Sequence, residues 1–287
     1  MKPINKEELE EINLEGWNLI KDTSTDKVYR KANREKRLEV FENYTLEKNF
    51  KDEKLNGVTV GRMNKPFLHY PNYKSKIYLI ERYHEGNQEG LSQSFYEDGA
   101  SVQQEWKNDH LHGKWEAWLG NGQKEKEKYY INGELSGEQY EWYENGQLKL
   151  KENFLDGVQV GESVKYLNNG RLKRKKFYKN GKVEGVVYEL WDYRGKVVDG
   201  GVYSETEYQN DIPHGKEVVY YPDKAKMREG YFQNGKEEGE RIWWNKNGII
   251  LIKENYKNGE LEGERYIYDE LGKLESVQRY EKGERIS

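Results

Sequence analysis

The 287-residue chain contains no cysteine, which excludes disulfide bridges, thiolate metal sites and a cysteine nucleophile. It has only 5 prolines and 3 methionines, and hydrophobic residues make up 34% against 35% charged, so a single large aliphatic core is excluded as well. No run of apolar residues is long enough for a membrane helix, and the first residues carry acids where a secretory leader would place an apolar segment. We therefore expect a cytoplasmic protein. Lys plus Arg number 48 and Asp plus Glu 52, a formal charge of −4, which argues against a general nucleic-acid binder.

What the chain has is rings and glycine. Tyr 24, Trp 8 and Phe 7 stand beside 29 glycines. Glycines fall at Gly90, Gly113, Gly137, Gly161, Gly185, Gly215, Gly239 and Gly263, spaced by 23, 24, 24, 24, 30, 24 and 24 residues. A second series, Gly122, Gly146, Gly170 and Gly248, follows nine residues after its starting glycine, and a third, Gly133, Gly157, Gly181, Gly235 and Gly259, follows at twenty. The period is 24 residues with one insertion, the signature of a repeat architecture.

Within residues 137–160, Asn145-Gly146 and Asp156-Gly157 read as two-residue turns of the kind that tolerates positive φ and joins antiparallel strands. Each repeat is then two strands and two turns, and the fold class is all-β. The expected architecture is an elongated, single-layer antiparallel β-meander of about eight 24-residue hairpin repeats with a small N-terminal cap. At about 4.8 Å per strand it would extend roughly 75 Å. Residues 1–56 form the cap, read as a short helix opening at Asn5, strands over 17–21 and 27–31, and a degenerate repeat; 57–89 is a degenerate repeat with an insertion holding Pro66 and Pro71; 90–287 holds the eight repeats.

The rings form two columns. Five residues after each starting glycine stand Phe95, Trp118, Trp142, Tyr166, Leu190, Tyr220, Trp244 and Tyr268. Three before the closing turn glycine, or its substitute, stand Tyr83, Trp106, Tyr130, Phe154, Tyr178, Tyr208, Phe232, Tyr256 and Tyr280. If every turn has two residues, side-chain parity puts the columns on opposite faces and sets the second one against the starting glycines of a neighbouring strand, whereas a bulge at a turn would reverse the parity. The first column (Phe95, Trp118, Trp142, Tyr166, Tyr220, Trp244 and Tyr268) is the candidate partner-binding face, with Trp118, Trp142, Tyr166, Trp244 and Tyr268 expected to be the more exposed. A basic patch of Arg171, Lys173, Arg174, Lys175 and Lys176 is a candidate guide for an acidic partner or for anionic headgroups.

His110 and His112 have same-face strand spacing, but His112 and His214 each precede a starting glycine and read as turn residues, so no metal site is expected. No phosphate loop, nucleophile elbow or kinase motif occurs, no cofactor is implied, and the chain is read as a non-enzyme.

The string Tyr-x-Asn-Gly-x-x-x-Gly, here Tyr178 to Gly185 and Tyr256 to Gly263, resembles the MORN repeat and, more closely, the bacterial variant in the YwqK-type antitoxin family. Departures are Asp109 and Asp211 in place of glycine, extra residues before Tyr208, and Pro222-Asp223-Lys224 in place of Asn-Gly. The resemblance implies a hairpin-repeat sheet that binds a protein, with a toxin as the partner it suggests. A second reading is a peripheral membrane or self-assembly scaffold that uses anionic lipid and the sheet edge at the carboxyl terminus. Nucleic acid is not expected as a partner.

Overall fold

The computed structural model describes residues 18–22, 26–31, 34–40, 44–63, 77–96, 98–191 and 201–287. The chain divides into two compact halves, residues 1–147 and 148–287. In each, every described pairing is antiparallel and joins strands adjacent in sequence or separated only by a two-residue strand, a β-meander of hairpin repeats. No helix occurs among the described residues. The helix expected from Asn5 and the insertion with Pro66 and Pro71 lie outside them. The two N-terminal strands run Asn18–Asp22 and Asp26–Lys31, and the meander continues through Arg34–Val40 and Tyr44–Lys51.

The register follows from the glycine and ring columns. Gly57 pairs with Tyr83, Gly90 with Trp106, Gly113 with Tyr130, Gly161 with Tyr178, Gly185 with Tyr208, Gly215 with Phe232, Gly239 with Tyr256 and Gly263 with Tyr280. The second ring column thus lies across from the starting glycines, the register expected of two-residue turns, which a one-residue slip before the first turn preserves. We call that side of each half the back face and the side carrying the first column the front face. A ring laid over a missing side chain hides backbone that a one-layer sheet would leave wet. Among the described residues a packed cluster forms in the second half, where Val202, Val219 and Met227 are buried against Tyr221.

The two turns of a repeat differ in kind. Asp156 (φ 49°) and Gly157 (φ 75°) form the expected two-residue turn between the paired Leu155 and Val158. Asn145-Gly146 does not. The Tyr143 amide donates to the Gln147 carbonyl and the Gly146 amide to the Tyr143 carbonyl, both at 2.9 Å, so the loop has three residues and only Gly146 turns left-handed. The Asn145 side chain instead accepts from the Gln147 amide at 3.1 Å. Gly122, Gly170 and Gly248 close the same three-residue loop.

The 24-residue period contains a bulge before the first turn, besides a register shift beside the starting glycine, at Gln104/Trp106 and Thr206/Tyr208. The register slips by one residue just before the first turn at Ala117/Trp118, Lys165/Tyr166, Val219/Tyr220, Trp243/Trp244 and Ile267/Tyr268. The Gly90 repeat is one residue shorter, and there the pairing runs from Gly90 to Phe95 without a slip. The missing residue is the missing bulge.

Two-residue turns interlock with the repeat before them. The Gly133 amide donates to the Leu111 carbonyl at 2.8 Å, Gly181 to Gln159 at 3.0 Å, Gly235 to Pro213 at 2.9 Å and Gly259 to Glu237 at 2.8 Å. The preceding turn residue donates to the side chain that sits before the starting glycine. Asn108 uses Glu89 at 2.9 Å, Asn258 uses Glu238 at 2.8 Å and Lys282 uses Glu262 at 2.9 Å. His112 and His214 serve Asn132 and Asn234 in the same way through Nδ1 at 3.3 and 3.4 Å. Asp109 and Asp211, which replace glycine, keep positive φ and accept from the Gln88 and Val183 amides at 2.6 and 2.7 Å.

Candidate functional site

The first ring column ends its strands. Phe95, Trp118, Trp142, Tyr166, Tyr220, Trp244 and Tyr268 are each the last strand residue before a three-residue loop, and each is half-buried. So are the rings of the second column. Exposure therefore does not separate the columns as expected. Besides Tyr96 (51% exposed) at the mouth of a first turn, the rings that stand out are Tyr129 (43%), Phe177 (50%) and Tyr231 (47%), one residue before the second column and so on the front face. Tyr188, Tyr203 and Tyr220 form a front-face ladder in the second half, with centroids 5.3 and 4.7 Å apart. Tyr188 and Tyr203 flank the insertion, where strict 24-residue counting loses its place.

Lysines lie between these rings. Lys124 Nζ is 5.7 Å from the Trp118 centroid and 5.9 Å from that of Trp142, which stacks on Tyr140 at 5.7 Å. It also meets Glu116 Oε1 at 2.5 Å and Glu127 Oε2 at 2.7 Å, while Lys114 Nζ reaches the same two carboxylates at 3.0 and 3.2 Å. In the second half Lys226 Nζ lies 5.7 Å from the Trp244 centroid, and Glu229 is held by Lys226 at 2.7 Å and Lys216 at 2.9 Å. Burial alone would raise the Glu127 and Glu229 carboxyls. Hydrogen bonds from the two lysines at each site instead leave both below the ordinary carboxylate range. Lys124 shows the converse: burial pulls it down, and bonds to Glu116 and Glu127 lift it above the ordinary lysine value.

The back face is closed by its own side chains. Arg228 pairs with Glu217 and lies 5.0 Å from the Trp243 centroid, Arg241 lies 4.5 Å from that of Tyr256, and the Trp243 indole donates to Glu254 at 3.1 Å. Glu217, Arg241 and Glu254 are buried there with their partners. Burial pushes Tyr130, Tyr178, Tyr208 and Tyr256 above the ordinary phenol value, and burial with the Glu81 carboxylate takes Tyr83 to about 12. A face so occupied has little left to offer a partner.

The basic run is not gathered on one side. Lys175, across from Val164, faces front and pairs with Glu162. Arg174 and Lys176, across from Lys165 and Ser163, face back, and Arg174 approaches Glu189 at 3.7 Å. Strand alternation divides what is contiguous in sequence. Lys173 falls within the bulge, and Arg171 sits in the first turn, where its amide donates to Asn169 Oδ1 at 3.1 Å. Among the described residues no group of His, Asp and Glu is arranged to hold a metal, and no helix is long and apolar enough to cross a membrane.

A family model described as MORN repeat variant matches residues 135–156, 237–258 and 261–282. The chain thus carries MORN-variant repeats, in the hairpins described above. No curated protein matches it.

Proposed function

We propose that this is a non-enzymatic repeat protein that docks a partner protein on its front face, with the antitoxin or immunity role that the resemblance suggests and a toxin as the partner. The observation that carries this reading is the contrast between the faces. Back-face rings cover glycines and buried ion pairs, whereas Tyr129, Phe177 and Tyr231 project from the front beside exposed lysines. Rigid rings among mobile cations give contact area at small entropic cost.

A photo-crosslinking residue at Tyr231 or Phe177, with the same residue at back-face Phe232 as control, tests this in the native cell. One partner captured from the front positions alone is expected. Capture from Phe232 alone, or of no protein from either face, would overturn the reading. The antitoxin role has its own test, rescue by this protein of growth arrest caused by the captured partner.

A further inference from the structure

The front-face cluster exists twice, on a period longer than the repeat. Lys114, Lys124, Glu127, Tyr129 and Trp142 recur as Lys216, Lys226, Glu229, Tyr231 and Trp244, each 102 residues on. The contacts recur with them. In each half two ammoniums share one carboxylate, Glu127 or Glu229, which Glu116 joins in the first half alone; the second ammonium lies less than 6 Å from a tryptophan centroid, and the exposed tyrosine pairs across the sheet with the first lysine. The support recurs too. Gly113 and Gly215 (φ 112° and 118°) leave room for the carboxylates of Glu105 and Glu207, which accept the Lys114 and Lys216 amides at 3.0 and 2.9 Å. Two of the family-model matches, 135–156 and 237–258, keep the same 102-residue spacing.

The hairpin repeat does not require this cluster. In other repeats the first lysine is replaced by Glu138, Glu162, Glu240 or Glu264, the second by Leu148, Leu172, Ile250 or Leu274, and the glutamate by Lys151, Lys175, Lys253 or Val277. Between the two copies themselves, neighbours have diverged. Trp115 stands against Glu217, Glu116 against Val218 and Tyr140 against Ile242. The turn and support residues Glu105, Asp109, His112 and Gly113 recur at the same offset, and the five cluster residues are kept with them while Trp115, Glu116 and Tyr140 change, which points to a shared task beyond the turn itself.

The first cluster places two ammonium groups around two carboxylates and the second around one, and each ammonium has three donors. The side chains of Lys114, Lys124, Lys216 and Lys226 are 46%, 30%, 39% and 49% exposed, so each cluster keeps donors for a further carboxylate brought from outside. The tyrosine beside them offers a ring to stack on. We propose that the two clusters are equivalent docking modules, each taking an acidic residue next to an aromatic one from a partner protein that presents this segment twice, as a symmetric dimer or a tandem motif. The proposal rests on the front face being the docking face.

Titration of the full chain with the synthetic peptide acetyl-Gly-Glu-Tyr-Glu-Gly-amide, followed at the indole N–H signals of Trp142 and Trp244 by NMR, tests it. Both signals should move, with dissociation constants within about tenfold of each other, and the Lys-Tyr-Lys analogue should move neither. Lys124→Gln should weaken the Trp142 response alone and Lys226→Gln the Trp244 response alone, each by about tenfold. The unaffected module reports that the variant is folded. Response at one indole only, or at neither, would overturn the duplication; if Tyr231 still crosslinks a partner in cells, the docking face survives that result. Phosphatidylserine vesicles moving both signals where the peptide does not would overturn the protein partner.

Discussion

Lys224 stands where the other three-residue loops carry glycine, and it turns left-handed with φ 71° while the loop closes through Tyr221 and Ala225 as elsewhere. A non-glycine residue there costs about 1–2 kcal/mol, partly offset by its smaller unfolded-state entropy. Lys224→Gly should therefore stabilise the protein by about 0.5–1 kcal/mol, read as a higher urea midpoint. Asp109→Gly should bring no such gain, because the Asp109 carboxylate accepts the Gln88 amide and that bond would be lost. Glycine can also be irreplaceable. Alanine at Gly113 would put a methyl onto the Glu105 carboxylate, whereas at Gly137 nothing lies within 4 Å. Gly113→Ala should cost about 2–3 kcal/mol and Gly137→Ala about 1 kcal/mol; equal losses in denaturant melts would contradict this. The histidines follow the same logic. His112→Glu should leave stability nearly unchanged, since Glu238 and Glu262 do the same work in their repeats, while His112→Ala should lose about 1 kcal/mol.

At the scale of the hairpin, the bulge sets what the strands tolerate. Glu125 is the residue skipped between the Ala117 pairing with Lys126 and the Trp118 pairing with Lys124. Deleting it should recreate the shorter Gly90 type of repeat, keeping Lys124 beside Trp118 and the sheet intact by circular dichroism. Deleting Lys128 instead forces Lys126 and Glu127 onto the opposite faces to keep Tyr129 and Tyr130 in register, and should destabilise the hairpin. The strands, their register and the opposed ring columns were legible in the sequence because period-two alternation and glycine spacing encode them directly. The first turn was not, because Asn-Gly serves a two-residue and a three-residue loop equally; only the register around it distinguishes the two. The exposed rings Tyr129, Phe177 and Tyr231 escaped because no single repeat shows them as a column. The paired lysine clusters escaped because a search at 24 residues averages over a 102-residue period.

Across the whole molecule, the back-face tyrosines act as one titrating set. Tyr83, Tyr130, Tyr178, Tyr208 and Tyr256 all hold their protons above the ordinary phenol range, so the folded chain binds more protons than the unfolded one at alkaline pH. Their contribution is fully present below about pH 10 and drains away as pH rises toward the folded values. The urea midpoint should fall steeply above that point, in step with phenolate absorbance. A flat midpoint up to pH 12 would show that burial of Tyr83, raised to about 12, does not support the sheet.

The interlock between turns has a sense of direction. Amides of Gly133, Gly181, Gly235 and Gly259 find their acceptors on the repeat upstream, and only where Asp109 and Asp211 replace glycine does an amide, of Gln88 or Val183, reach downstream as well. Trimming a repeat from the carboxyl side strips acceptors of a donor and leaves oxygens that water can satisfy. Trimming from the amino side strands amides at the next bend. Growth of the sheet in the order in which a ribosome delivers it is thus the order in which every bend meets a finished neighbour, and shortened chains should survive loss of their tail better than loss of their head.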